Sequence, residues 1–306
     1  MLPTPSTSHV PYSRVYEPAE DSFLLLDTFS LPSETSFLST RFPATSSSSP
    51  LLLEVGPGSG VVLAFLAAHA STLFGRPDIL TLGVDVNWFA CEAARETVRK
   101  AVDEVKEEEE KAKKEERTRS SGYLLATAQG DLASPLRPNV VDILVFNPPY
   151  VPTDELPTLP KELADLTATA AGSATTNNNT SSSEKKKSPP PKTTYDQDST
   201  LLALAYAGGR DGMQVTDRLL AALPEILSER GVAYVLLCAQ NRPEQVKERI
   251  RAWPGSEVDV DNTGMAGVEG RRKRWKWMAE TVGTSGNKAG WEKLQVVRIW
   301  REVVEE

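Results

Sequence analysis

The run Leu51-Leu52-Leu53-Glu54-Val55-Gly56-Pro57-Gly58-Ser59-Gly60 passes from a short apolar segment straight into three glycines, and a second apolar stretch from Val61 to Ala70 follows. A short apolar run closed by glycines reads as a buried strand, and the longer stretch behind it reads as a helix. Strand, tight turn and helix in that order commit the chain to crossover connections, and so to a sheet with parallel neighbours. Glycines let the backbone turn sharply and let a ligand approach where a Cβ would stand, while the helix N-terminus offers unpaired N–H groups and a partial positive charge. Something polar docks on this turn. The dinucleotide fingerprint needs a further glycine at position 61, where Val61 stands, so the spacing departs from that of a nicotinamide site.

Similar short runs recur: Ile79–Asp85, Tyr123–Ala128, Val141–Phe146 and Val232–Ala239 each have the length and bias of a buried strand. Helical intervals at Gly60–Ala70, Trp88–Val102, Gly212–Leu227 and Pro243–Ala252 complete a mostly parallel α/β sheet, and Leu294–Trp300 alternates as an antiparallel addition would. The chain has 306 residues, long for one domain, but the excess is polar. Residues 1–13 are expected to be disordered, leaving one domain over 14–306 with low-complexity insertions at about 103–121, 157–199 and 263–288. The stretch Thr45–Pro50 reads as a spacer, and Asp103–Arg117 as a solvated extension of the preceding helix.

Lys and Arg number 34 against 42 Asp and Glu, a balance that disfavours general affinity for nucleic acid backbones. The two cysteines, Cys91 and Cys238, have no partner at metal spacing, so no zinc site is expected, and a reducing cytoplasmic or nuclear compartment is. No apolar run is long enough to span a bilayer, and no secretory leader is evident at the start, so a soluble protein is expected.

Asp85, closing the second strand, stands where an acceptor for two ribose hydroxyls is needed. Asp131 can accept from the exocyclic amine of adenine, with Leu132 beside the ring; helix capping is the plainer reading of both acids. The fourth strand ends Asn147-Pro148-Pro149-Tyr150. Two prolines fix φ and give no backbone donors, so nearby carbonyls stay free to accept. The Asn147 side-chain oxygen and the Pro148 carbonyl can each take one hydrogen of a planar NH₂ group, with Tyr150 packed against its face. Amides and aryl amines are poor nucleophiles, and two acceptors on their hydrogens help localise the nitrogen lone pair toward an electrophilic carbon.

The glycine turn with an acidic residue two before its first glycine resembles the binding loop of class I S-adenosylmethionine methyltransferases. More specifically, VYEPAEDSFLLLD, LEVGPGSGVV, VFNPPYVPT, AYAGGRDGMQVTDRLL and AGWEKLQVVRI look like the eukaryotic and archaeal branch of the HemK-type protein-glutamine methyltransferases. That resemblance implies a seven-stranded Rossmann-like methyltransferase fold and, as substrate, the side-chain amide of the Gly-Gly-Gln glutamine in the class I translation release factor. Carried over residue by residue, it implies that Ser22, Glu54, Gly56, Asp85, Asp131, Leu132 and Asn147 hold S-adenosylmethionine and that Tyr16 and Glu17 help close its pocket. Gly58 and Gly60 belong to the same loop, and Asn147, Pro148, Pro149 and Tyr150 form the catalytic motif. The departures are the long inserts, and Pro57 inside the glycine turn.

The resemblance also implies a small zinc-binding activator protein as heterodimer partner, adding to the edge strand Tyr123–Ala128. The run Arg271–Trp277 is expected to be a solvated insert, with contact to RNA or the release factor the lesser reading. Rival functions are an adenine-amine methyltransferase acting on DNA or RNA, which lacks a basic face here, and a broader lysine methyltransferase, for which an amide grip is ill suited. A binding module that holds the cofactor without turnover is the non-enzyme alternative, against which the intact Asn147 counts.

Overall fold

The computed structural model describes residues 2–45, 47–111, 120–159, 192–259, 272–285 and 293–304. Its strands β1 (Leu51–Val55) and β4 (Val141–Phe146) match the sequence reading at both ends, because each is an apolar run bounded by turn-forming residues. β2 (Leu80–Asp85), β3 (Tyr123–Gln129) and β5 (Leu227–Cys238) fill the other parallel positions, and β6 (Ser256–Asp259), β7 (Arg272–Thr284) and β8 (Leu294–Val304) return antiparallel. The spatial order is β3-β2-β1-β4-β5-β8-β7-β6, an eight-stranded sheet among the described residues. Pairing is parallel from β3 to β5 and antiparallel from β5 to β6. This is the mostly parallel α/β sheet that the alternation of strand and helix predicts, with three antiparallel C-terminal strands where one was expected and eight strands in place of seven.

Helix α1 (Glu20–Phe29) opens with two acids, Glu20 and Asp21, at its positive end and buries Leu25, Leu26 and Phe29. α2 (Pro32–Arg41) follows at once. α3 (Val61–Ala68) is apolar all round and buried all round, against the sheet on one side and α5 (Trp88–Lys111) on the other. The buried face of α5 ends at Val102, and beyond it the expected Glu/Lys extension continues as helix to Lys111. A short α4 (Ala70–Phe74) precedes β2; α6 (Tyr195–Tyr206), α7 (Gln214–Ile226) and α8 (Pro243–Arg251) complete the helices named here.

Several expectations are corrected. The lead before residue 14, expected to be disordered, packs: Val10 is buried with Val15, Phe89, Ala90, Ala93 and Leu201 in a small third core, and the Tyr12 hydroxyl donates to the Thr7 carbonyl at 3.0 Å. The Thr45–Pro50 spacer is pinned rather than loose. The buried Arg76 guanidinium donates to the Ser47 carbonyl and hydroxyl, and the Ser49 hydroxyl donates to Asp78.

The insertion at 157–199 lies largely outside the described residues, but its end enters α6, which Thr194 and Gln197 close with a reciprocal capping box. The insertion at 263–288 is overturned over 272–284, which is β7, in register with β8 from Arg274↔Val304 to Thr284↔Gln295. Trp277 and Ala279 from the basic-aromatic run and its continuation are core residues, packed with Val297 and Ile299. The basic residues before the tryptophans, and Lys276 between them, hid a strand with both tryptophans on one face.

Gly60 shows how tightly α3 and α5 meet. It adopts φ +79°, and a Cβ there would stand 2.4 Å from the Ala94 Cα. Gly60→Ala therefore combines left-handed strain with displacement of α5, and is expected to cost roughly 2–5 kcal/mol of stability by chemical denaturation. A loss under about 1 kcal/mol would mean that α5 can shift freely.

Candidate active site

The parallel strands deliver their carboxyl ends to one crevice at the point where strand order reverses between β1 and β4, which is where open α/β sheets bind ligands. A cavity of about 410 Å³ lies there, and the turns after β1, β2, β3 and β4 all reach it. Gly56 donates its N–H to the Val84 carbonyl at 2.8 Å, and Gly58 donates to Asp85 Oδ2 at 3.2 Å, so the turn is held to the end of β2. Both have positive φ, and a Cβ on Gly56 would meet no atom within 4 Å because it would point into open space. Gly60 differs. It does not line the cavity, and its glycine answers to Ala94 instead.

Three acids from the sequence reading line the cavity. Glu54 is buried, and desolvation pushes its carboxyl well above the usual range, opposed by a backbone hydrogen bond at Leu63 and reinforced by Asp85. Its Oε2 is buried without a partner. Asp85 is pushed up to about 6, by burial first, against the stabilising N–H groups of Asn87 and Gly58. Asp131 is half exposed and ion-paired to Arg218, a cavity residue that sequence reasoning missed. Leu132 also lines the wall, at φ +53°, a left-handed conformation that strains a leucine by about 1–2 kcal/mol.

The motif after β4 divides. Asn147 and Pro149 line the cavity, while Pro148 is buried beneath and Tyr150 faces the other way. The Tyr150 hydroxyl donates to Asp21 Oδ2 at 3.4 Å, so this ring does not cover the cavity as its place in the motif suggests. Tyr150, Tyr16 and Asp21 together border a smaller cleft of about 160 Å³. Asn147 Nδ2 donates to Asp21 Oδ2 at 3.0 Å, and its Oδ1 is buried with no partner.

Tyr16 and Ser22 line the cavity as expected, and both donate to Asp21 as well. Asp21 was legible only as an acid in the first turn of a helix, and nothing in its spacing marked it as a meeting point. Also unmarked was the apolar roof of Leu156, Leu201 and Leu204.

This donor set fits S-adenosylmethionine. The orphaned Glu54 oxygen suits an ammonium group, Asp85 a ribose diol and Asp131 an adenine amine, with apolar walls between them. Among the described residues no cluster of His, Cys, Asp and Glu could hold a metal ion, and both cysteines are buried and free.

No protein-family profile matches the chain. It is similar to Methyltransferase HEMK2 of Mus musculus, 31% identical over 251 residues that cover 80% of this chain and 83% of that protein. HEMK2 of Homo sapiens is 30% identical over 249 residues, covering 79% and 82%. The eRF1 methyltransferase catalytic subunit mtq2 of Schizosaccharomyces pombe is 32% identical over 252 residues, covering 81% and 84%. Among solved structures, a ribosomal protein L11 methylase from Lactobacillus delbrueckii subsp. bulgaricus superposes with a TM-score of 0.40 at 10% identity, covering 92% of this chain and 80% of that one, a likeness too distant to add to the strand order.

The titration of Asp85 is open to measurement. A bound ribose diol donates to, and so favours, the charged form, and binding releases a proton where the empty site is protonated. Affinity for S-adenosylhomocysteine is expected to be level above about pH 7 and to weaken as the pH falls through 6, by roughly tenfold at about pH 5. Asp85→Asn should bind more weakly at neutral pH with a shallower fall. Calorimetry across this range that gave both proteins the same slope would assign the titration to another group, with Glu54 the first suspect.

Proposed function

The chain belongs to the HEMK2 methyltransferase family, and from that premise we propose that it methylates the side-chain amide nitrogen of the Gly-Gly-Gln glutamine in the class I translation release factor, acting in the cytoplasm. It is an S-adenosylmethionine-dependent methyltransferase. The observation that carries the substrate reading is the unpartnered, buried Oδ1 of Asn147, a residue that lines the cavity: an acceptor without a donor.

When bound, S-adenosylmethionine supplies a methyl group activated on a sulfonium sulfur. In the chain itself, Glu54 holds the amino-acid end, Asp85 the ribose, and Asp131 with Leu132 the adenine, while the backbone of Gly56 and Gly58 leaves room for close approach. Asn147 Oδ1 accepts an N–H of the target amide; the Pro148 carbonyl, expected to take the second, belongs to a residue that is buried and does not line the cavity. Pairing with Oδ1 would fix the orientation of the nitrogen and help draw its lone pair out of resonance. The proton displaced from the amide nitrogen would pass to solvent. No covalent intermediate on the protein is needed. A lysine ammonium would first have to lose a proton, and it presents no planar N–H pair to the Asn147 acceptor.

The zinc-binding activator is part of the same proposal. β3 is one edge of the sheet, paired with β2 among the described residues, and its Tyr123 and Leu125 side chains are 44% and 55% exposed. An exposed edge with apolar side chains supports strand addition by another protein. Leu125→Arg is expected to weaken assembly with a co-expressed activator by at least about tenfold. Unchanged recovery of the complex would move the interface elsewhere.

The substrate is decided by mass spectrometry of release factor incubated with the protein and donor. A single added methyl on the Gly-Gly-Gln glutamine, lost when that glutamine is replaced, is the expected result; methyl on another residue would overturn the assignment. Asn147→Ala should lower turnover by roughly 10²–10³-fold with little change in S-adenosylhomocysteine affinity.

A further inference from the structure

The asparagine side chain is nearly symmetric in shape, and either its oxygen or its NH₂ can occupy a given site by rotation about the last bond. Only the oxygen is useful toward a target amide. The NH₂ would face another donor and repel it. Proline fixes the backbone of residues 148 and 149 but has no influence on that rotation, so something on the far side of Asn147 must choose.

Asp21 sits on the first turn of α1 and is 3% exposed. Its Oδ2 receives Asn147 Nδ2 at 3.0 Å, the Tyr16 hydroxyl at 3.2 Å and the Tyr150 hydroxyl at 3.4 Å. Its Oδ1 receives the Ser22 N–H at 2.6 Å and the Ser22 hydroxyl at 3.2 Å. A carboxylate offers no proton, so only the NH₂ end of Asn147 can face it. The opposite end, Oδ1, is thereby left unpaired beside the cavity. Charge-assisted pairing on the NH₂ side also polarises the amide, which makes Oδ1 a stronger acceptor.

We infer that Asp21 is the positioning residue of this site: an acceptor-only carboxylate, immobilised by Tyr16, Tyr150 and Ser22, that sets the direction of the Asn147 amide and so makes Oδ1 available to the target nitrogen. Asp21 acts through Asn147 rather than on the reacting atoms. The inference rests on reading Asn147 as the group that accepts from the target amide.

Exchanging the two side chains tests it. Asp21→Asn removes the directional preference and is expected to lower kcat by roughly 10- to 100-fold, with KM for release factor and S-adenosylhomocysteine affinity within about threefold. Asn147→Asp sets two carboxylates against each other and loses at least as much. In the double variant Asp21→Asn/Asn147→Asp, the new amide donates to the new carboxylate, whose second oxygen faces the cavity. Recovery of at least about tenfold over either single variant is expected. A folded double variant no faster than the slower single would overturn the inference in favour of a purely structural Asp21, and so would normal kcat in Asp21→Asn. Should Asp21→Asn fail to fold, Asp21→Glu keeps an acceptor-only group; activity within about tenfold of wild type supports the inference, and a loss equal to that of Asn147→Ala overturns it.

A readout independent of the acceptor separates this inference from the function on which it rests. The Asn147 side-chain NH₂ resonances, assigned by their disappearance in Asn147→Asp, should exchange slowly with water in the wild type and at least about tenfold faster in Asp21→Ala. Equal exchange in the two proteins would sink the role of Asp21 even if the release factor is methylated. Slow exchange in a wild-type protein that leaves the glutamine untouched would instead retire the substrate and keep the hydrogen bond.

Discussion

Val55 and Phe146 are partners in the parallel register of β1 and β4, and the two chains leave the sheet side by side from that rung. Gly56 follows one and Asn147 the other. A slip of one residue would turn every side chain of the strand to the opposite face, and both strands are buried, so the register is strongly specified by the core. The same logic operates one strand over, where Val55 pairs with Val84 and the Gly56 N–H reaches the Val84 carbonyl. The proximity of the glycine turn, Asp85 and the proline motif is thus set by apolar packing beneath them, with the polar groups added at the rim.

Carboxyl groups dominate that rim, and they are costly before a ligand arrives. Holding Asp85 at about 6 rather than 3.8 costs the empty protein roughly 3 kcal/mol at neutral pH. The direction follows from proton binding. Between those two values the folded chain binds the proton more tightly than the unfolded chain does, so this contribution to stability falls as the pH rises through the interval and is level above it. Glu54 adds to the burden in the same sense. A cationic ligand with hydroxyl donors relieves both, so part of its affinity comes from removing a penalty already present in the free site.

How much of this was legible depended on whether one residue or several carried the signal. The five parallel strands were readable from apolar runs of four to eight residues bounded by turn formers, although β5 begins at Leu227, five residues before the run that marks it. β7 was not, since Arg272, Lys273, Arg274 and Lys276 surround the tryptophans of its buried face and suggest a charged patch. Of the three glycines in the turn, Gly56 and Gly58 line the cavity while Gly60 serves the contact of α3 with α5, a distinction that needs the distance to Ala94. Asp21 was hidden for a different reason. Its partners come from residues 16, 22, 147 and 150, and only folding brings the distant pair onto one carboxylate.

The third small core joins parts of the chain that look unrelated in sequence. Val10 and Val15 from the lead, Phe89 and Ala93 from α5, and Leu201 from α6 share it, and Leu201 also forms part of the cavity roof. Arg14 strengthens the junction, stacked over Phe89 at 4.6 Å and ion-paired with Asp198 at 3.6 Å. The opening residues therefore back the part of the cavity wall that Leu201 forms. Removing them would trim no idle tail; it would take away packing behind Leu201 and so loosen that side of the cavity.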